Sequence, residues 1–362
     1  VRIVITGGGT GGHLMPALAI ADALRRLEPA VEPVLVGARR GVEAEILPRR
    51  PYRFHLLPSE PLYRRQWWKN VRWIALAPRL YAAAAALLAR ERAQVVVGTG
   101  GYAAAAVLLA ARARRLPLVL QEQNAMPGLT TRWFAGAARQ IHLGFPEAAP
   151  RLRIGAHTRV TAFGNPVAPP PAELDRAAAR DRLALPADAR VALVFGGSQG
   201  ARVLNRATAE LLDRRLLPGV AILWGTGSAE WPQYQQYERW PEVRVRPFWD
   251  PIAVPYRAAD VVVARAGAMT TAELCAYGLP AILVPLPTAA AGHQERNAQA
   301  LVAAGAARQL SESDLSALTL GDQIRAVLDD PREADRMSRA ALARALPDAS
   351  RRIAEAILSL AP

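Results

Sequence analysis

Gly7-Gly8-Gly9-Thr10-Gly11-Gly12-His13 comes straight after an apolar, β-branched run from Val1 to Ile5. Gly196-Gly197-Ser198-Gln199-Gly200 comes straight after another, from Val191 to Phe195. A helical pattern follows each loop. A strand, a glycine turn and a helix entrance together make an anion cradle, because bare backbone N–H groups and the positive end of the helix face the ligand. Two such cradles in the two halves of the chain imply two α/β domains and two phosphorylated ligands.

Strand-like and helix-like segments alternate from these loops outward, which argues for helices layered on parallel sheets. In the first half, strands are expected at Arg2–Thr6, Glu32–Val36, Gln94–Gly98, Leu118–Gln121 and Gln140–Leu143, with a helix over His13–Leu27 that tolerates Pro16 in its first turn. In the second half, strands are expected at Val191–Phe195, Ala221–Trp224, Val243–Arg246, Asp260–Ala264 and Ala281–Pro285. Helices are expected there at Ala201–Arg214, Thr270–Tyr277, Gln294–Ala304 and about Ser350–Leu360. The proline-dense stretch 164–171 reads as the connection between domains, placing the first at 1–163 and the second at 172–345. The fold class is α/β, with two doubly wound domains facing across a cleft.

A chain of 362 residues suits two domains, and its 51% hydrophobic content suits a folded core. No apolar stretch reaches the roughly 18–20 residues of a membrane span, and the opening core strand does not resemble a signal peptide. The single cysteine, Cys275, excludes an internal disulfide and fits a reducing compartment. The net charge of +14 is compatible with an anionic membrane, a phosphorylated substrate or nucleic acid, and equally with an arginine-rich coding bias. Only one basic stretch, 63–81, carries the interleaved aromatics of a nucleic-acid reader, and no nucleic-acid partner is expected.

Gly7-x-Gly9-x-x-Gly12 satisfies the dinucleotide fingerprint, a weak signal by itself. An NAD site wants an acidic residue at the end of the second strand, where this chain has Arg39-Arg40, which leaves NADP open. His13 points elsewhere. At a helix entrance an imidazole tends to stay neutral and able to accept a proton, although a histidine that merely caps or packs fits the same position.

Gly-Gly-Thr-Gly-Gly-His resembles the MurG family, the N-acetylglucosaminyltransferases of peptidoglycan synthesis, which have the GT-B fold of two Rossmann-like domains. Further blocks match that family in order: Gly98-Thr99-Gly100-Gly101-Tyr102, Gln121-Glu122-Gln123-Asn124 with Pro127-Gly128-Leu129-Thr130, Gly164-Asn165-Pro166-Val167, Gly196 to Ala201, and Arg265-Ala266-Gly267-Ala268-Met269-Thr270. The resemblance spans nearly the whole chain. It implies inverting transfer of N-acetylglucosamine from UDP-N-acetylglucosamine to undecaprenyl-diphosphate-linked N-acetylmuramyl-pentapeptide. It also implies that the last helix, about 346–362, packs back on the first domain.

On this resemblance the second domain binds the donor. Ser198 falls near the diphosphate, though the same serine would also cap the next helix. Asn205 falls near the donor sugar, and Trp249 in the uracil region, where a packed core tryptophan fits too. Ala268, Met269, Thr270 and Glu273 are expected to bind the donor. Thr270-x-x-Glu273 reads on spacing alone as a capping box; the family pattern instead assigns Glu273 to the ribose hydroxyls. His293 and Gln294 are expected on the hexosamine hydroxyls, although some relatives carry Gln at the first of these positions. Where some relatives have Arg after Asn-Pro-Val, this chain has Ala168, and Arg202 or Arg265 would have to replace that charge. No Asp-x-Asp occurs, so no obligatory metal or other cofactor is expected.

In the first domain the acceptor is expected along Gly9, Thr10, Gly11, Gly100, Gly101 and Tyr102, with Thr10, Gly11, Gly12 and Asn124 also near the donor. His13 is the candidate base for the attacking hydroxyl. Glu122 either orients it or serves as the base itself. The stretch 63–81 mixes Trp67, Trp68, Lys69, Arg72, Trp73, Leu76, Arg79 and Leu80, a composition suited to an anionic membrane surface and also to an amphipathic helix packed on the sheet. With a lipid-linked acceptor, the expectation is a peripheral protein on the cytoplasmic face of the plasma membrane. Competing readings are a transferase of the same fold acting on another lipid such as diacylglycerol, an NADP-dependent oxidoreductase, and a non-catalytic nucleotide-sugar-binding protein.

Overall fold

A computed structural model of the chain describes residues 1–61, 68, 71–197 and 200–361, with the backbone alone for 72–75. The chain divides into two compact units, Val1–Ala168 with Leu346–Pro362, and Pro169–Ala345. The proline-dense stretch is thus split, its first residues belonging to one unit and its last to the other.

The first unit holds a seven-stranded sheet. Its strands are β1 (Arg2–Gly7), β2 (Glu32–Ala38), β3 (Arg53–Leu57), β4 (Val95–Gly100), β5 (Leu118–Glu122), β6 (Gln140–Leu143) and β7 (Arg159–Thr161), in the spatial order β3-β2-β1-β4-β5-β6-β7. The second holds a six-stranded sheet of β8 (Arg190–Phe195), β9 (Val220–Gly225), β10 (Val243–Arg246), β11 (Val261–Ala264), β12 (Ala281–Leu283) and β13 (Ala307–Gln309), ordered β10-β9-β8-β11-β12-β13. Every pairing is parallel. Parallel strands covered on both faces need apolar residues on both, which is why β1 and β8 read as unbroken apolar runs. Along β1, Ile3 and Ile5 enter one core layer and Val4 the other.

Sequence reading misses β3, β7 and β13. All three are edge strands, and they carry Arg53, His55, Arg159, Arg308 and Gln309. An edge strand is half-solvated, so the apolar run that marks a central strand does not develop there.

The helix Gly11–Leu27 begins two residues before the expected start, so Pro16 falls in the second turn, where it withholds the N–H that Gly12 would otherwise receive. The helix Ala349–Leu358 lies against it within the first unit. Its Ile353, Ala354 and Ile357 join the layer made by Ile3, Ile5, Leu14 and Ile20. Each of the two isoleucines, Ile353 and Ile357, contributes roughly 1.5–3 kcal/mol by leaving water. Gln140 adds a hydrogen bond from Nε2 to the Ala356 carbonyl at 2.9 Å.

In both sheets the chain reverses its direction of growth next to the first strand. The crevice beyond the carboxyl ends of β1 and β4, and that beyond β8 and β11, are the places where such sheets hold ligands. The glycine loops lie there.

Candidate functional site

Glycine is required around the first loop for steric reasons. A Cβ at Gly7 would meet Thr99 Oγ1 at 1.8 Å, and one at Gly101, whose φ is +79°, would meet the Gly8 carbonyl oxygen at 1.9 Å. The loops after β1 and β4 therefore touch backbone to backbone, with Gly8 N–H donating to the Gly100 carbonyl at 3.3 Å. Tyr102 lies over Gly9, where a Cβ would come within 2.4 Å of its ring.

The bare N–H groups expected here are fewer than the sequence suggests. Glu43, fully buried, accepts from Gly9 N–H at 2.8 Å and from Ala38 N–H at 3.0 Å. Gly8, Gly37 and Gly41 make room for its carboxylate. Thr10 is the extended N-cap of the helix and makes no side-chain cap. The N–H groups of Gly11 and Gly12 lie in the first turn, where a helix gives no internal partner. They remain available to an anion.

His13 enters from that first turn, half-buried. Its Nδ1 is 3.0 Å from the Thr99 carbonyl oxygen and 3.0 Å from Gln123 Oε1. Thr99 Oγ1 donates to the His13 carbonyl at 2.8 Å, which holds β4 against the helix entrance. Gln123 belongs to a buried amide cluster: Gln121 Nε2 donates to Asn165 Oδ1 at 3.1 Å, and Asn165 Nδ2 donates to the Gln123 carbonyl at 2.9 Å.

Glu122 does not orient His13, contrary to one sequence expectation. One carboxylate oxygen accepts from Asn124 N–H at 3.0 Å and Asn124 Nδ2 at 3.3 Å, and the other from Gly128 N–H at 2.9 Å. With the side chain buried and both oxygens engaged, Glu122 braces the loop that carries Asn124.

In the second unit, Ser198 lies outside the described residues. The turn around it has Gly197 and Gly200 at φ of +87° and +74°. A Cβ at Gly200 would meet the Thr226 carbonyl oxygen at 2.3 Å. Asn205 is not placed for a donor sugar. It is 1% exposed; Oδ1 accepts from Trp224 Nε1 at 3.0 Å, and Nδ2 donates to the Thr226 carbonyl and to Glu230, each at 2.8 Å. Both of its amide protons and its oxygen are engaged, which ties the helix Arg202–Asp213 to the end of β9.

The helix Ala268–Tyr277 starts at an N-cap of Gly267 with no side-chain cap, so Thr270 and Glu273 form no capping box. Thr270 and Met269 are half-buried in its first turn and Ala268 is buried. Glu273 Oε2 instead accepts from the Tyr256 hydroxyl at 2.9 Å. Oε1 accepts nothing from the described residues. Burial raises the Glu273 carboxyl above its ordinary range, opposed by the tyrosine hydrogen bond. Burial, followed by the charge of Glu273, pushes the Tyr256 phenol well up.

Gln294 Oε1 accepts from Leu286 N–H at 2.9 Å, bracing the loop after β12 and leaving its Nε2. His293 opens the helix His293–Ala303. Trp249 is buried against Gly225, and its indole N–H has no partner among the described residues. Of the two arginines considered as replacements beside Ala168, Arg265 is committed: it pairs with Glu312 at 2.6 Å and donates to the Val284 and Pro285 carbonyls. Arg202 pairs through Nε with Glu230 at 2.9 Å while its side chain stays 81% exposed.

Of the aromatic–basic stretch, Trp67 and Lys69 lie outside the described residues, as do the side chains of Arg72 and Trp73. Trp68 and Arg79 are exposed and Leu76 is half-buried. Leu80 is a correction: at 2% exposure it packs with Ala84, Leu87 and Leu88 in the core, because it sits on the sheet-facing side of the helix Arg72–Arg90. Among the described residues no helix is long and apolar enough to cross a membrane.

Thr99, Gln123 and Asn165 stand in quoted motifs, yet sequence reading assigned them no role beside His13; Glu43 and Tyr256 carried no signal. Three glycines around one carboxylate, Gly8, Gly37 and Gly41, become legible only once the strands are paired.

Residues 3–143 match the glycosyltransferase family 28 N-terminal domain and residues 191–353 its C-terminal domain. The UDP-N-acetylglucosamine–N-acetylmuramyl-(pentapeptide) pyrophosphoryl-undecaprenol N-acetylglucosamine transferase of Desulforudis audaxviator is 40% identical, covering 100% of this chain and 99% of its own. The protein of the same name from Salinibacter ruber is 41% identical, covering 99% and 97%. The crystal structure of Acinetobacter baumannii MurG superposes with a TM-score of 0.78 at 25% identity, covering 99% of each chain. On these matches the chain belongs to the MurG family of glycosyltransferases, within glycosyltransferase family 28.

Proposed function

We propose that the protein transfers N-acetylglucosamine from UDP-N-acetylglucosamine to undecaprenyl-diphosphate-linked N-acetylmuramyl-pentapeptide, with inversion at the anomeric carbon. The observation that carries this reading is the match over the whole chain to relatives bearing that transferase name. The geometry of each unit supports the following roles.

The first unit takes the acceptor. Gly11 and Gly12 N–H groups at a helix entrance suit its diphosphate, and Tyr102 and Gly101 flank the same loop. His13 Nε2 takes the proton of the attacking sugar hydroxyl as the new C–O bond forms. The bond from the anomeric carbon to the diphosphate breaks, and its electron pair leaves with UDP through an oxocarbenium-like transition state. The second unit takes the donor: the helix ends after Gly200 and Gly267 face the diphosphate charge. Glu273 Oε1, left open by Tyr256, accepts from the ribose hydroxyls, and Gln294 Nε2 serves a sugar hydroxyl. No resident metal is part of this reading.

The acceptor's lipid tail places the protein peripherally on the cytoplasmic face of the plasma membrane. Exposed Trp68 and Arg79, with the +14 net charge, support an anionic lipid surface as its partner.

The test is transfer of labelled N-acetylglucosamine from UDP to a short-chain lipid-linked muramyl-pentapeptide, with and without a chelator. Transfer that survives chelation supports the reading. Donor binding without transfer to this acceptor, but with transfer to diacylglycerol, replaces it with the lipid transferase. Binding without any transfer makes the protein a nucleotide-sugar binder.

A further inference from the structure

We infer that Gln123 is a positioning residue that, with the Thr99 carbonyl, locks the neutral His13 ring in the tautomer whose proton is on Nδ1. Nε2 is thereby kept as the proton acceptor. The inference rests on the proposed role of His13 for its catalytic meaning, but not for its geometry.

A neutral imidazole has one N–H, and its position follows from what each nitrogen faces. The Thr99 carbonyl oxygen, 3.0 Å from Nδ1, can only accept. Gln123 offers the ring either an acceptor or a donor, depending on how its amide is turned. Three acceptors fix that turn. Gln123 Nε2 donates to the Thr99 carbonyl at 2.8 Å and the Gln121 carbonyl at 2.9 Å, and it also meets Gln121 Oε1. Reversing the amide would set its oxygen against all three. Oε1 therefore faces His13, 3.0 Å from Nδ1, and the ring must donate there.

The amide cannot turn on its own. Gln123 is 1% exposed, and its backbone carbonyl is held by Asn165. The ring is confined as well: a Cβ at Gly100 would stand 2.9 Å from Nδ1, and one at Gly101 3.1 Å from Cδ2. Nε2 accepts nothing from the described residues.

The consequence for the step is definite. The acceptor O–H breaks, a bond from Nε2 to that proton forms, and the ring becomes imidazolium while Nδ1–H stays on its two oxygens. Both are dipoles and neither is a carboxylate; they hold the ring in place and accept from Nδ1–H before and after the transfer. The carboxylates of the neighbouring loops are turned elsewhere, Glu43 onto Gly9 and Ala38, and Glu122 onto Asn124 and Gly128.

The experiment is ¹⁵N NMR of the full chain with labelled histidine, at a pH where the ring is neutral, the His13 signals being assigned by their loss in His13→Ala. A protonated Nδ1 and a bare Nε2 are expected. A ring protonated on Nε2, or one averaging between tautomers, overturns the inference. Gln123→Met removes the amide at similar volume. It is expected to release the tautomer and lower kcat about 10- to 100-fold, less than loss of the base itself, with KM for UDP-N-acetylglucosamine unchanged. A folded variant that keeps both the tautomer and kcat shows that the Thr99 carbonyl suffices and removes Gln123 from the role. If the variant does not fold, the wild-type spectrum decides. Full turnover by His13→Ala would instead defeat the catalytic reading while leaving the tautomer standing.

Discussion

The loops after β1 and β8 occupy the same place in sheets of corresponding strand order, yet they are furnished differently. The first has a titratable ring at the helix entrance, backed by carbonyl and amide oxygens. The second has no histidine in its loop or at its helix entrance. Its nearby chemistry comes from a carboxylate on the helix Ala268–Tyr277, pinned by a buried phenol, and from amides further along the chain. One topology supplies helix ends to both units. On the proposed function, the side chains set around those ends separate a proton-accepting site from a nucleotide-holding one.

The sharpest way to break this comparison is His13→Ala. Turnover should fall about 10²- to 10⁴-fold, the usual worth of a positioned base, while UDP affinity measured by calorimetry stays within about twofold. Equal loss of both would mean that the units do not divide the work.

A second contrast is acid sensitivity. His142, in the first unit, is stacked on Phe163 and bonded to Thr161 and Gln140. Burial, aided by the Arg159 charge, lowers it from 6.5 to about 4. Between those values the unfolded chain takes up a proton that the folded one refuses. The contribution is therefore whole above pH 6.5 and is lost as pH falls towards 4, about 3 kcal/mol in all. Thermal melts across this range should show one transition moving down with acid, and His142→Phe should flatten that slope. An unchanged slope in the variant would assign the acid sensitivity elsewhere.

Glu273→Ala tests the other side. UDP binding should weaken about 10- to 100-fold, the loss of charge-assisted hydrogen bonds to two hydroxyls, and discrimination between UDP and its 2′-deoxy form should shrink. Retained discrimination would move the ribose contact to another residue. The smallest effect belongs to Tyr256→Phe. Removing one hydroxyl frees the carboxylate to turn, and a loss of about three- to tenfold in UDP affinity is expected, with His13-dependent steps untouched.

Much of the fold was legible because central parallel strands and glycine turns leave local marks. The runs at Val1–Ile5 and Val191–Phe195 and the loops after them gave the two sheets and their crevices. The edge strands β3, β7 and β13 escaped because half-solvated backbone tolerates the polar residues that hide them. At the sites, His13 and Glu273 could be named as candidates from their motifs, but the groups that face them could not be read. Glu122 and Asn205 show the converse error: residues of suitable chemistry in suitable motifs turned out to spend their hydrogen bonds on the protein itself.

The sequence by itself determined the alternation of strands and helices, the two glycine cradles and the family, since each is carried by residues close together in the chain. The tertiary structure alone decided which acceptors face His13 Nδ1, which oxygen of Glu273 stays open, and that Glu43 closes part of the first cradle. Gln123 stands 110 positions from His13, and Gly9 34 from Glu43. Hydrogen-bond partners across such separations are chosen by strand order and side-chain packing, and local propensity carries no record of either.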